Sequence, residues 1–100
     1  MPQVAVAQTG VQLLTRNKYR KSAAFHNPSA NVLFIDRMNP RSIQTANAAV
    51  RIPAGGILTL NSQQDGIDAV VDEWSGITDA GSNTIFVDEY VESPIKVKVP

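Results

Sequence analysis

Apolar and polar residues alternate with a period of two along most of this sequence, and the alternation restricts the fold more than any other feature. Val4 and Val6 share one side of an extended segment, as do Val11 and Leu13. No window keeps the spacing of an amphipathic helix over three turns. Because successive side chains of a strand point to opposite faces, the pattern predicts strands that bury one face each.

Turn-forming residues divide these extended segments at intervals of about ten residues. Examples are Asn39-Pro40, Asp65-Gly66 and Gly81. Roughly seven to nine short strands separated in this way are typical of two packed antiparallel sheets. We therefore predict an all-β antiparallel sandwich, jelly-roll-like, with little helix. Residues 37–53 carry the weakest pattern and are expected to form a long loop or a short helix.

The chain has 100 residues, of which 43% are hydrophobic and 18% charged, so we expect a single globular β-sandwich domain spanning 1–100. No stretch supplies the ~20 apolar residues of a membrane-spanning helix, and the first residues lack a secretory signal. The sequence contains no cysteine, which excludes disulfides, thiolate metal sites and a cysteine nucleophile. We expect a chain made in a cytoplasm, with no membrane partner.

The segment 31–36 (NVLFID) is apolar on both faces, because Val32 and Phe34 lie opposite Leu33 and Ile35. This pattern predicts a central strand covered on both sides. One side would belong to the subunit core and the other to an interface, for which Leu33 and Ile35 are candidates. The single tryptophan, Trp74, is expected either in the core or at an interface as an anchor.

Charge is divided unevenly, although the net charge is zero. Residues 1–51 hold seven bases and one acid (+6), and residues 52–100 hold two bases and eight acids (−6). The two halves either neutralise each other across neighbouring strands or form complementary patches on different subunits. A basic run is an interface candidate. It also has the composition of a weak nucleic-acid patch, but no nucleic-acid motif accompanies it, so a protein partner is preferred. Its members are Arg16, Lys18, Arg20 and Lys21.

Residues with catalytic or metal-binding chemistry are sparse. His26 is the only histidine, and no serine or glycine motif for nucleophilic catalysis or phosphate binding occurs. The acidic segment 65–73 offers oxygen ligands for a hard cation. On a strand, however, Asp68 and Asp72 would lie ~13 Å apart, which favours solvated acids. We therefore predict that the protein is not an enzyme and has no catalytic residue, cofactor or metal.

The segment 51–60 (RIPAGGILTL) interrupts the alternation at its centre. Pro53 cannot donate a hydrogen bond to a strand ladder, and Gly55 and Gly56 can adopt a positive φ without steric cost. The segment is predicted to be two strands joined by a tight structural turn.

Five pieces of sequence, in this order, resemble small β-rich structural proteins of tailed-bacteriophage virions. They are Arg20-Lys21, 27–35 (NPSANVLFI), 51–60, Trp74 and 79–90 (DAGSNTIFVDEY). Proteins of this kind act as head decoration (cement) proteins or as head-fibre components, commonly as trimers. The resemblance implies a virion structural protein on the capsid surface that binds and stabilises the head shell.

The same resemblance implies partners and an alternative. The partners would be further copies of the chain, with a trimer favoured, and the major capsid protein of the phage head. The alternative is a tail or fibre module that contacts the host surface, including a carbohydrate-binding one. Residues 1–14 and 93–100 depart from the resemblance, and we interpret both as attachment or exchanged segments. Residues 95–99 (IKVKV) alternate cleanly, which predicts a terminal strand with lysines outward.

Overall fold

The computed structural model describes residues 3–61 and 67–92, in which eight strands form two four-stranded antiparallel sheets around one core. One short helix lies between the sixth and seventh strands. The elements are β1 (Gln3–Val6), β2 (Val11–Leu14), β3 (Arg20–His26), β4 (Leu33–Asp36), β5 (Val50–Ile52), β6 (Ile57–Asn61), α1 (Ile67–Val71), β7 (Trp74–Thr78) and β8 (Asn83–Val91).

The strands pair as one long hairpin wound over itself. β1 pairs with β8, β2 with β7, β3 with β6 and β4 with β5, all antiparallel. Pairings of β3 with β8 and of β4 with β7 complete the sheets. The front sheet has the order β1-β8-β3-β6, and the back sheet has the order β2-β7-β4-β5. This is jelly-roll connectivity, and the prediction of an all-β sandwich with little helix is confirmed.

Inward-facing side chains of both sheets form the core. Phe25 of the front sheet and Leu33 and Ile35 of the back sheet are fully buried. Trp74 packs against Phe25 with ring centroids 5.7 Å apart, and its indole nitrogen donates a hydrogen bond to the Ala69 carbonyl oxygen at 2.8 Å. The tryptophan therefore joins the core to the short helix.

The acidic segment 65–73 was expected on a strand, and that expectation is wrong. Residues Ile67–Val71 are helical, so Asp68 lies in the first turn of a helix, where a negative charge is favourable. The helix places Val70 in the core, where it is fully buried. The turn predicted at Asp65-Gly66 lies outside the described residues.

Residues 37–49 form a long loop that packs on the outer face of the back sheet. The Ser75 hydroxyl donates a hydrogen bond to the Met38 carbonyl oxygen at 2.7 Å, and Ile43 is buried. A methyl group on Gly10 would overlap the Pro40 carbonyl oxygen and the Ile43 side chain. All five residues of β7 are buried, so this loop covers the outer face of the back sheet at β7.

Residues 3–14 are integral to the sandwich. β1 is an edge strand of the front sheet and β2 is an edge strand of the back sheet. The hydrogen-bonded pairing of these strands with β8 and β7 joins them to the two sheets. The expectation that residues 1–14 are an attachment or exchanged segment stays a prediction. The strand predicted at residues 95–99 lies outside the described residues.

Candidate interaction surface

Arg20, expected at an interface, is instead buried inside the domain. Its side chain is only 1% exposed, and its Nε lies 2.6 Å from a carboxylate oxygen of Glu89. The guanidinium also donates to the carbonyl oxygens of Val70 and Asp72, at 3.0 and 3.1 Å, and to that of Thr15. Two of these carbonyls lie at the C-terminal end of α1, where a cation is favourable. Arg20 therefore fixes the helix to the front sheet.

The other members of the basic run remain on the surface. Arg16 pairs with Asp72 at 3.7 Å, with its side chain 69% exposed, and the Lys18 ammonium lies 5.1 Å from the Tyr19 ring centroid. Lys21 is exposed. Both ion pairs within the described residues join a base of the first half to an acid of the second, as neutralisation within one domain requires.

The apolar interface candidates lie in the core. Leu33 and Ile35 are fully buried and Trp74 is 5% exposed, so none of the three can contact a partner. The correction follows from strand register: Phe34, between the two buried residues, faces the outer side of the back sheet beside Ile77 and Arg51. It is half-buried there.

The corner after β5 is a type II turn. The Gly56 amide donates to the Pro53 carbonyl oxygen at 2.9 Å, and Gly55 has a φ of 78° at the third position, as this turn requires. The backbone of Asn27 is bound to the same corner, because its carbonyl accepts from the Gly55 amide at 2.7 Å and its amide donates to the Gly56 carbonyl at 2.9 Å.

The Asn27 side chain completes this junction. Its amide nitrogen donates to the carbonyl oxygens of Asn31, Ile52 and Pro53, between 2.8 and 3.2 Å. Its oxygen accepts from the Ser29 hydroxyl at 2.6 Å. Asn27 is fully buried, and no buried polar side-chain atom within the described residues lacks a hydrogen-bond partner. Asn27 thus holds two loops together.

A pair of asparagines, Asn31 and Asn83, joins the loops that follow β3 and β7. The Asn31 side-chain amide donates to the Asn83 side-chain oxygen at 2.8 Å. Asn83 in turn donates to the Thr78 hydroxyl at 3.0 Å and to the Ala80 carbonyl at 2.8 Å. Sequence reasoning missed this contact, although the Gly81 turn that precedes β8 had been recognised. Its partners lie 52 residues apart in the chain.

The outer face of the front sheet is the open surface of the domain. The large hydrophobic residues that are exposed within the described chain are Ile57 at 64%, Tyr90 at 56% and Val91 at 41%, and all three belong to front-sheet strands. Ile57 and Tyr90 lie on the outer face, whereas Val91 lies on the same side of β8 as the buried Val87. His26 stacks on Phe86 across β3 and β8, with ring centroids 5.8 Å apart. This face has no counterpart of the loop that covers the back sheet within the described residues.

A shallow depression of about 370 Å³ lies at the centre of this face. We call it the front-sheet depression. Its floor is formed by small side chains of β3, with β6 and β8 on either side. The residues that line it include Ser22, Ala24, Thr59, Asn61, Asp88 and Tyr90. Sequence reasoning did not find it, because it depends on three strands that are distant in sequence.

Tyr90 and Glu92 interact at the end of this face. The Tyr90 hydroxyl donates a hydrogen bond to a carboxylate oxygen of Glu92 at 3.1 Å. The hydrogen bond, followed by the negative charge of the carboxylate, raises the pKa of Tyr90 above 10.0. Both effects favour the neutral phenol, which keeps the hydroxyl as a donor at neutral pH.

Chemical groups for catalysis are not assembled in the described part of the chain. His26 is half-buried in its stack with Phe86, and residues 3–61 and 67–92 contain no group of three or more His, Asp or Glu side chains that could hold a metal ion. The described helix is too short to cross a membrane.

No protein-family description, curated protein or solved structure matches this chain. The relation to phage virion proteins therefore stays a prediction that depends on the five quoted pieces of sequence. The structure adds that Arg20, Asn27 and the Pro53–Gly56 corner within those pieces are fixed by internal hydrogen bonds.

Proposed function

We propose that this chain is a non-enzymatic assembly protein, a capsid decoration protein that binds the head shell of a tailed phage through the outer face of its front sheet. One observation carries the proposal: within the described residues, a loop packs on the outer face of the back sheet and none packs on the outer face of the front sheet. The chain's own loop 37–49 packs on the back sheet, whereas the front sheet presents Ile57 and Tyr90 to solvent on its outer face. Exposed apolar side chains grouped on one face are typical of interaction sites.

Two further points support this function. The jelly roll is an architecture used in viral capsids and in lectins, although fold alone does not assign function. The sequence resemblance to virion proteins selects the capsid from these uses. Together they favour a trimer on the capsid surface, with the major capsid protein as partner and the host cytoplasm as the place of synthesis.

Exposed charges would tune this attachment. Arg37, Arg41 and Arg51 are exposed and form no ion pair within the described residues. Exposed charges steer and orient partners, contribute little each, and are screened by salt. We therefore expect apolar contacts to hold the assembly and salt to weaken its attachment to the shell.

The test is binding to heads by variants of the open face. Ile57→Asp and Tyr90→Asp place a charge on the front sheet, and Ala46→Asp places the same charge on the exposed loop over the back sheet. Co-sedimentation with purified heads should be lost for the first two variants and kept for Ala46→Asp. The chain should also be found in heads, and not in tails, when virions are dissociated. Wild-type chain that is absent from virions, or that fails to bind heads, would overturn the proposal.

A carbohydrate-binding tail or fibre module is the second candidate, and one observation favours it. Tyr90 is an exposed aromatic ring beside Asp88 and Asn61 on an open sheet face. Aromatic rings with a few polar groups are typical of ligand sites, and jelly rolls occur in lectins. Retention of the chain on a glycan array, lost in Tyr90→Ala and combined with its presence in tails, would favour this function over the first.

A further inference from the structure

We propose that a polar cleft between loops 7–10 and 40–45 binds an acidic saccharide, a sugar that offers a carboxylate and several hydroxyl groups. We call it the back-sheet cleft. It lies on the outer side of the back sheet, so it stays accessible when the front sheet holds a partner. The inference goes beyond the proposed function and holds or fails independently of it.

Two adjoining depressions of about 310 and 360 Å³ form the back-sheet cleft. They are continuous, because Gln8, Gln44 and Ile77 line both of them. Ile77 of β7 and Ile43 of the loop are buried beneath it and supply an apolar base. Small-molecule sites combine an apolar lining with a few polar groups in a space of ~300 to 1,000 Å³. The cleft has this size and this composition.

Each of the two loops that form the walls carries an amide side chain. Gln8 belongs to the loop between β1 and β2, and Gln44 belongs to the loop over the back sheet. The Gln8 side-chain nitrogen donates to the Asp79 carbonyl oxygen at 3.2 Å, and its side-chain oxygen stays unused. The Gln44 side chain and the hydroxyl groups of Thr9 and Thr45 form no hydrogen bond within residues 3–61 and 67–92. These groups are available to a ligand.

The two ends of the back-sheet cleft differ in charge. Arg41 lines only one depression and Asp79 lines only the other, so the two residues lie on opposite sides of the shared part. Both are exposed, and neither forms an ion pair in the part of the chain that the structure describes. A guanidinium binds a carboxylate through two parallel hydrogen bonds, and a carboxylate accepts hydrogen bonds from hydroxyl groups.

Hydrogen bonds within the loop fix the wall that carries Gln44 and Arg41. The Asn47 side-chain oxygen accepts from the Gln44 backbone amide at 2.8 Å, and its side-chain nitrogen donates to the Ser42 carbonyl oxygen at 3.0 Å. The Asn39 side-chain oxygen accepts from the Arg41 backbone amide at 2.7 Å. A wall that is ordered before binding loses less conformational entropy when a ligand enters.

This combination of groups favours a saccharide over other polar ligands. Sugar hydroxyls donate and accept hydrogen bonds, which matches a lining of amides, hydroxyls and a carboxylate, and the C–H face of a sugar ring can pack on the isoleucine base. A nucleic acid needs several cations for its phosphates, whereas the lining holds one base and one acid. A peptide strand adds to the backbone of a sheet edge, and this cleft is bounded by loops. Arg41 selects a sugar that carries a carboxylate.

The test is titration of the full chain with matched pairs of saccharides, followed by NMR of the backbone and side-chain amides. Sialyllactose differs from lactose by one sugar that carries a carboxylate, and digalacturonate differs from galactobiose by its carboxylates. At least one acidic saccharide should bind about tenfold or more tightly than its neutral partner. It should also shift the side-chain amide signals of Gln8 and Gln44. The saccharide that binds identifies the source of the carboxylate.

Substitutions separate the back-sheet cleft from the rest of the surface. Arg41→Ala should weaken binding of the acidic saccharide about tenfold or more, and Gln44→Ala should weaken it as well. Two matched controls should bind like the wild type: Arg37→Ala removes an exposed arginine of the same loop outside the cleft, and Tyr90→Ala removes an exposed side chain of the front sheet. The amide spectrum of each variant confirms that it is folded before its affinity is compared.

Three results would overturn the inference. They are the absence of binding by either acidic saccharide at millimolar concentration, equal binding of the neutral partners, and a loss in Arg37→Ala or Tyr90→Ala as large as that in Arg41→Ala. Wild-type chain that binds phage heads but no acidic saccharide overturns this inference alone. Chain that binds the acidic saccharide but no heads overturns the proposed function alone.

Discussion

Arg20 and Asn27 are two buried side chains whose hydrogen bonds hold neighbouring segments of the chain together. Arg20 uses its guanidinium on Glu89 and on three backbone carbonyls. Asn27 donates to three carbonyls across the corner. Because a buried polar group left without a partner is costly, each side chain is more important for what its loss would expose than for its own net contribution.

Replacement of Arg20 tests this internal role. We expect Arg20→Met to lower the free energy of unfolding by about 2 to 4 kcal/mol, since it leaves buried carbonyls without donors. Lys21→Met, at the next and exposed position, should change it by less than about 0.5 kcal/mol. Urea unfolding followed by tryptophan fluorescence measures both. Equal losses of unfolding free energy in the two variants would show that Arg20 does not hold α1 on the front sheet.

The ionisation of Tyr90 gives a prediction about pH. Its pKa is raised in the folded chain by the hydrogen bond to Glu92 and by the charge of that carboxylate. A raised pKa means that this contact stabilises the folded state at pH below the unfolded value of about 10, and that the contribution is lost as pH rises through the folded pKa. In a Tyr19→Phe background, Glu92→Gln should shift the phenolate absorbance titration to lower pH. An unchanged titration curve would contradict the contact.

At the scale of elements, sequence pattern predicted what depends on local periodicity and missed what depends on distant contacts. β4 was recognised from an apolar run that fills both faces, but the two faces were assigned in reverse: Leu33 and Ile35 are in the core, and Phe34 is outward. Two adjacent apolar sets give no local signal for which one faces inward. Helix α1 was missed because five residues are too few to show a helical period.

The candidate surface could not be predicted from the sequence for a related reason. Ile57 and Tyr90 occupy ordinary apolar positions in a strand pattern, and only the fold shows that they face away from the core. A long loop or a short helix was predicted at residues 37–53. The structure has a loop at residues 37–49, and its position over the back sheet follows from Gly10, Pro40 and Ile43 together. Without that position, the sequence gives no reason to expect one sheet to be covered and the other open.

Gly10→Ala tests how the loop 37–49 packs against Gly10. A methyl group at Gly10 would overlap the Pro40 carbonyl and Ile43, so we expect the loop to be displaced and Arg41 to be cleaved faster by trypsin under native conditions. Gly55→Ala is the matched control. Its methyl group would meet no atom within 4 Å, and its cost comes from a φ of 78° alone. It should lower stability by about 1 kcal/mol without selective cleavage at Arg41; equal cleavage in both variants would contradict the packing.

At the scale of the whole molecule, the two sheets of the jelly roll have different roles: one closes the domain and the other offers a surface to a partner. The outer face of the back sheet is covered at β7 by the loop 37–49, while the outer face of the front sheet is open within the described residues. A sandwich needs only one buried face per sheet. The cover over the back sheet therefore adds internal stability, and its absence from the front sheet, within the described residues, leaves a surface for a partner.

A pair of isoleucines on opposite sides of the sandwich tests this division. Ile43 is 3% exposed under the loop, and Ile57 is 64% exposed on the front sheet. We expect Ile43→Ser to lower the free energy of unfolding by about 2 to 4 kcal/mol, because it removes buried apolar volume, and to leave association of the remaining folded chain unchanged. Ile57→Ser should change unfolding by less than about 0.5 kcal/mol and should weaken self-association and head binding instead. Unfolding is measured at a concentration where the chain is monomeric, since association itself stabilises the folded state. If Ile57→Ser destabilised the monomer as much as Ile43→Ser, the front sheet would be covered within its own copy, and the division of tasks between the sheets would be wrong.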